Sequence, residues 1–174
     1  MGVEIERKFL LKTGASLPES DEVLNIQQSY VAKGEGGEGA SVRVRLVNME
    51  EAFLTIKQAS RENLAVRSEF EYPIPVEDAL EIMELSPFTK VVKQRHIIVI
   101  GENKWEVDFF LEENEGLIVA ELELPSVDTE VELPEWVGEE VTNDKRYLNN
   151  YLAVHPYSCL LYTSDAADDS LRVD

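Results

Sequence analysis

Glu4, Glu6 and Lys8 occupy alternate positions of the segment GVEIERKFLL, opposite Val3, Ile5 and Phe9, and Arg7 alone interrupts the apolar row. Side chains of a strand point to opposite faces with period two, so two carboxylates and an ammonium share one face. The pattern recurs along the chain. SVRVRL sets Arg43 and Arg45 against Val42, Val44 and Leu46, and FLTIKQ sets Thr55 and Lys57 against Leu54 and Ile56. RSEFEY aligns Arg67, Glu69 and Glu71 against Phe70 and Tyr72, and VVKQRH aligns Lys93 and Arg95. WEVDFF aligns Glu106 and Asp108 against Trp105, Val107 and Phe109, and AELEL aligns Glu121 and Glu123 against Ala120, Leu122 and Leu124.

A half-buried antiparallel sheet alternates apolar and polar residues as a matter of course, which accounts for any one of these strands. A solvated face, however, mixes both charge signs with neutral polar residues. Here same-sign charges repeat about 7 Å apart on one face, an arrangement that costs energy unless counter-charges are held between them. Closing eight antiparallel strands into a barrel supplies those counter-charges, because the charged rows then point inward together. Arginine and lysine suit a polyanion, with arginine forking onto phosphate oxygens. Clustered Glu and Asp suit hard divalent cations such as Mg²⁺ or Mn²⁺. Both together are what phosphoryl transfer from a polyphosphate requires, since the protein there chiefly positions phosphates and stabilises charge.

The elements that must place these rows are readable from periodicity. Strands are expected at roughly 3–11, 26–33, 40–47, 52–59, 67–73, 91–99, 104–111 and 117–124, joined mostly by short links such as VNMEEA and IGENKW, with glycine-rich KGEGGEG at 33–39. Short connections favour an antiparallel meander. Helices are expected over PVEDALEIMELSPF, with Pro75 in the first turn, and over TNDKRYLNNYLAV, with Thr142 or Asn143 as N-cap; a short helix within 16–24 is a further expectation. The expected class is α+β, mainly β: an eight-stranded antiparallel closed barrel with helices packed outside.

The chain's 174 residues, 44% hydrophobic, fit one domain with a real core. A net charge of −19 argues against a nucleic-acid surface. No apolar run reaches the length of a membrane span and no signal-like pattern opens the chain, so a soluble, cytoplasmic protein is expected. The single cysteine, Cys159, excludes a disulfide framework and a cysteine-based zinc site. From Ser158 the segment SCLLYTSDAADDSLRVD continues no periodicity and resembles translated adapter read-through, so the domain is expected at 1–157 with a non-native or disordered tail at 158–174. His96 and His155 are too far apart for a ligand pair by sequence, and Trp105, Trp136, Tyr147 and Tyr151 read as packing residues.

These residues match a known family. VEIERKFL resembles the Glu-x-Glu-x-Lys signature of the CYTH domain, the triphosphate tunnel metalloenzymes, and RVR, TIK, SEFEY, KQR, WEVDFF and ELEL follow in the family's order. WVGEEVTNDKRYLNNYLA resembles the closing segment of the small bacterial members. The resemblance runs from Val3 to about Val154 and implies a triphosphate bound inside the barrel. It implies phosphate binding by Lys8, Arg43, Arg45, Lys57, Lys93 and Arg95, with Arg146 a weaker candidate, and metal binding by Glu4, Glu6, Glu121 and Glu123. Glu69, Glu71, Glu106 and Asp108 would also face the tunnel; Glu4, Glu6, Lys8, Lys57 and Asp108 are the catalytic candidates. The implied activity is metal-dependent hydrolysis of a triphosphate, inorganic tripolyphosphate first, with Mg²⁺ or Mn²⁺ as cofactor. The alternatives are a class IV-type adenylate cyclase making cyclic AMP from ATP, or a non-catalytic module binding polyphosphate or nucleotide. The expected partner is a small-molecule triphosphate, not nucleic acid or membrane; a homodimer is one way to cover the outer apolar rows.

Overall fold

A computed structural model describes residues 2–34, 39–60 and 62–158. The middle of the glycine-rich connection and residues 159–174, with Cys159, therefore lie outside the described residues. Among the described residues nine strands form one sheet: β1 (Gly2–Leu11), β2 (Glu22–Ala32), β3 (Ser41–Val47), β4 (Glu51–Ala59), β5 (Val66–Ile74), β6 (Val91–Ile100), β7 (Asn103–Phe110), β8 (Ile118–Glu123) and β9 (Val137–Glu140). Their order is β5-β4-β3-β2-β6-β7-β8-β1-β9, every pairing is antiparallel, and a further pairing of β5 with β1 closes the first eight into a barrel. Closure removes the open edges that would otherwise template aggregation.

Strand β1 is shared. Gly2–Ile5 pair with β5 along one edge, Glu6–Leu10 pair with β8 along the other, and β9 takes up the first edge again at Phe9 and Leu11. Gly138 permits that last contact: a Cβ there would lie 3.0 Å from the Leu11 carbonyl carbon and the Lys12 nitrogen. A three-residue connection joins β3 to β4 and a two-residue connection joins β6 to β7. Asn48 and Met49 both have positive φ between β3 and β4, and the Asn48 side chain accepts a hydrogen bond from the Asn25 amide, an αL position asparagine tolerates well.

The apolar rows face outward and are covered in two places. Helix α1 (Val76–Leu85) lays Ala79, fully buried, on Val44, Leu46 and Ala52. Pro75 precedes it in an extended conformation, Glu77 and Asp78 suit its positive N-terminal end, and Ser86 is extended before Pro87, which disfavours further helix. Opposite, Phe9, Trp105, Val107, Ala120 and Leu122 pack beneath Leu124, Trp136 and Val137, with Trp105 edge-on to Trp136 at 5.3 Å. Both tryptophans are packing residues, as expected. Arg7, the outlier of the apolar row, lies over the Phe9 ring and makes a bidentate pair with Glu140 of β9 at 2.7 and 2.9 Å.

Three expectations are corrected. Residues 16–20 form no helix, and β2 begins at Glu22, because Glu22–Asn25 pair with Gln94–Ile97 of β6. The helix expected over 142–154 is a 3-10 turn at Lys145–Tyr147 and a short α2 (Asn149–Leu152), separated by extended Leu148. Strand β9 was not expected. Leu152 and Ala153 are buried with Tyr30, Val91, Phe110, Leu117 and Val119, so the C-terminal segment packs against one end of the barrel.

Candidate active site

Barrel closure brings the charged rows into one lumen. A cavity of about 320 Å³ is lined from β1, β3, β4, β5, β6, β7 and β8 by Glu4, Glu6, Lys8, Arg43, Arg45, Lys57, Arg67, Glu69, Glu71, Arg95, Glu106, Glu121 and Glu123. Tyr30, Ser41, Asn149 and Asn150 complete the lining, so that every lining side chain is polar and Tyr30 is the one aromatic among the described residues. A larger hollow beside the β3–β4 turn, lined by Val23, Met49 and their neighbours, lies on the outer surface away from these charges.

Register decides which charges meet. Glu6 faces Glu123 and Lys8 faces Glu121 across the β1–β8 ladder. Lys8 donates to Glu121 at 2.7 Å and lies 3.6 Å from Glu6, which is also 3.8 Å from Arg67. Burial opposes the Lys8 charge, but Glu121 and Glu6 outweigh it and hold its pKa above the ordinary lysine value. Burial likewise opposes ionised Glu121, yet Lys8, Arg95 and Lys93 keep it well below the carboxylate range. Lys57 pairs with Glu4 at 2.8 Å and Glu69 at 3.7 Å. Arg43 donates to Thr55, Thr55 donates to Glu71, and Arg43 lies 3.8 Å from Glu71.

Beneath the cavity lies a second layer. Asp108, wholly buried, accepts a bidentate pair from Arg95 at 2.7 and 2.9 Å and pairs with Lys93 at 2.7 Å. Arg95 also pairs with Glu106. Lys93 donates to Asn149 of α2 at 3.2 Å. Burial drives its pKa down to about 7; Asp108 resists the fall and the Arg95 and Arg45 guanidiniums add to it. Asp108 stays below its ordinary value because Arg95 and Lys93 together outweigh its burial. Neither Lys93 nor Asp108 lines the cavity; both set its floor. Arg146 is not brought in: it is half exposed and clamped by Asp144 at 2.7 Å.

Among the described residues, Glu123 is the lumen carboxylate of least satisfied charge. It has no ion pair among the described residues, and burial, then Glu4, Glu106 and Glu6, raise its pKa. Its hard oxygen donors and like-charged neighbours are the chemistry that a divalent cation satisfies. In this arrangement Lys8 and Lys57 occupy the flanking carboxylates, and among the described residues no three His, Cys, Asp or Glu side chains stand ready to ligate an ion.

The sequence and the fold of this chain are matched by known proteins. A model of the CYTH domain fits residues 2–152. The chain belongs to the CYTH domain family. It is 42% identical over 158 residues to an inorganic triphosphatase of Acetivibrio thermocellus, across 90% of this chain and 97% of that protein. It is 31% identical over 156 residues to an inorganic triphosphatase of Nitrosomonas europaea, across 87% of this chain and 97% of that one. A crystal structure of an inorganic triphosphatase shares the fold with a TM-score of 0.61 at 30% identity, covering 87% of this chain and 94% of that one.

In this CYTH domain, several lumen residues stand outside the set that sequence reasoning assigned to the site. Arg67 sits in a charged row and carries a parity signal, yet sequence alone gave it no role. Gln28 and Tyr30 share the inward parity of β2, facing Arg45 and Arg43 in register. They are neutral, so a search for charged rows passes over them. Asn149 and Asn150 reach the cavity from α2, which no strand periodicity reveals.

Proposed function

We propose that this protein hydrolyses a triphosphate, inorganic tripolyphosphate first, with a divalent cation of the Mg²⁺ or Mn²⁺ class bound by Glu4, Glu6, Glu121 and Glu123. The observation that carries the reading is the composition of the lumen: cations and carboxylates interleave in one enclosed cavity that has no apolar side chain in its lining. A phosphate chain needs such walls; an adenine ring needs apolar or stacking surface as well. Among the described residues the lining offers Tyr30 alone as stacking surface and no apolar side chain, which supports an inorganic substrate over the cyclase reading. The relatives of known activity point the same way.

The bound cation would neutralise phosphate oxygens and acidify a water for attack. The chain's own groups do the rest. Arg43 and Arg45 fork onto phosphate oxygens from β3, and Lys8 and Lys57, now engaged by Glu121 and Glu4, face the same space and can serve the ligand instead. Asp108 holds Arg95 in a fixed orientation through two hydrogen bonds, so the guanidinium needs no reorganisation when charge spreads over the transferred phosphoryl group. A water attacks the terminal phosphorus in line, and pyrophosphate leaves.

The test is phosphate release from tripolyphosphate with Mg²⁺ or Mn²⁺, with and without a chelator, and ATP in parallel assayed for free phosphate and cyclic AMP. The expected result is fast, chelator-sensitive release from tripolyphosphate, slower release from ATP and little cyclic AMP. Cyclic AMP as the main product, or binding of tripolyphosphate without turnover, overturns it.

A further inference from the structure

We propose that Gln28 is a positioning residue that holds Arg45 as the uncompensated anion anchor of the lumen; the inference rests on the triphosphate reading above. Six of the lumen's basic residues, Lys8, Arg43, Lys57, Arg67, Lys93 and Arg95, each have a carboxylate oxygen within 4.0 Å. Arg45 has none among the described residues. Its Nε donates instead to the Gln28 side-chain oxygen at 3.1 Å. Gln28 is fully buried on β2, directly opposite Arg45 in the ladder, and its own amide nitrogen has no partner. A buried neutral amide with half its capacity unused is costly, which argues that something other than packing keeps it there.

The chemistry of the pair explains the choice. A glutamate at position 28 would bind Arg45 more strongly and cancel its charge. A glutamine orients the guanidinium and leaves the charge whole. Burial, with Arg43 and Arg95 nearby, already works against that charge and lowers the Arg45 pKa to about 10, so an anion arriving at Arg45 relieves an unfavourable field. The incoming phosphate therefore meets one full positive charge that no carboxylate offsets, whereas each of the other six basic residues has a carboxylate oxygen within 4.0 Å.

The experiment compares wild type, Gln28→Glu and Gln28→Met, each checked by thermal melting, for tripolyphosphate binding by calorimetry without metal and for KM and kcat with Mg²⁺. Gln28→Glu should weaken binding and raise KM by about ten- to a hundredfold, the worth of one charge-assisted hydrogen bond, with a much smaller change in kcat. Gln28→Met keeps the charge and loses only the orientation, so its effect should be several times smaller. In an Arg45→Met background the Gln28→Glu effect should vanish. Equal effects of Glu and Met, an effect confined to kcat, or a Gln28→Glu effect that persists without Arg45 overturns the role of Gln28. If Gln28→Glu does not fold, an unchanged KM in Gln28→Met overturns it. A wild type that neither binds nor hydrolyses tripolyphosphate overturns the triphosphate reading itself and the inference with it.

Discussion

Asp108→Asn removes a carboxylate shared by two buried cations. Both oxygens of Asp108 are used, by Arg95 at 2.7 and 2.9 Å and by Lys93 at 2.7 Å, and neither Asp108 nor the Lys93 side chain has any exposure. Breaking a buried pair in this way costs about 3–5 kcal/mol, because the partner is left charged and unsolvated. Arg95 keeps Glu106, so the penalty falls mainly on Lys93. That lysine has a way out: it can lose its proton. Lys93 stands at about 7 with Asp108 present; without it the value falls further and the folded variant holds Lys93 neutral. The unfolded chain keeps its lysine protonated up to about 10.4 and so binds more protons than the folded chain, which makes stability rise with pH. Between pH 6 and pH 8 a group at about 7 contributes a rise of about 1.4 kcal/mol, and a group already neutral at pH 6 a rise of about 2.7 kcal/mol. The loss caused by Asp108→Asn should therefore shrink by about 1.4 kcal/mol from pH 6 to pH 8. Urea unfolding of both proteins at the two pH values measures it. A loss below about 1 kcal/mol, or one that does not change with pH, refutes the account of the lumen floor.

Other perturbations address the cavity and the frame. Glu4→Gln and Glu6→Gln should each lower Mg²⁺-dependent turnover about ten- to a hundredfold, with part of the loss recovered at high metal concentration; wild-type kinetics in both would remove these residues from the metal site. Lys57→Ala should raise KM for tripolyphosphate about tenfold or more with a smaller effect on kcat, read from steady-state kinetics. Gly138→Ala pushes a Cβ to 3.0 Å from main-chain atoms of β1; crowding of about 1–3 kcal/mol should lower Tm by several degrees in calorimetry, and a Tm equal to wild type would show that β9 is free to shift.

The charged rows were legible because period two is unambiguous over strands of six to ten residues with charge concentrated on one face and mainly apolar residues on the other. Which charge meets which was not legible. That Lys8 reaches Glu121, and that Asp108 serves both Lys93 and Arg95, follows from the register of β1 with β8 and of β6 with β7, which no single strand contains. Strand β9 escaped notice because VGEE is four residues without alternation after a proline-containing acidic stretch. Tyr147, Leu148, Tyr151 and Leu152 have helical spacing, yet a turn, a break at extended Leu148 and one helical turn satisfy it equally well. Residues 22–25 were passed over because two of the four are polar, so their pairing with β6 is a tertiary effect rather than a local one.

The lumen's seven cations, Lys8, Arg43, Arg45, Lys57, Arg67, Lys93 and Arg95, stand against eight carboxylates, Glu4, Glu6, Glu69, Glu71, Glu106, Asp108, Glu121 and Glu123, a net of −1 where the whole chain carries −19. Nearly all the surplus negative charge therefore belongs to other positions of the chain. A polyanionic substrate is repelled at long range by the protein that captures it at short range. Encounter is thus a barrier crossing rather than a guided descent, and dissolved salt, by shortening the reach of the repulsion to about 8 Å at physiological ionic strength, should speed association instead of slowing it. Stopped-flow binding of tripolyphosphate from low to moderate ionic strength should show the on-rate climbing, the opposite of an enzyme that steers its substrate home.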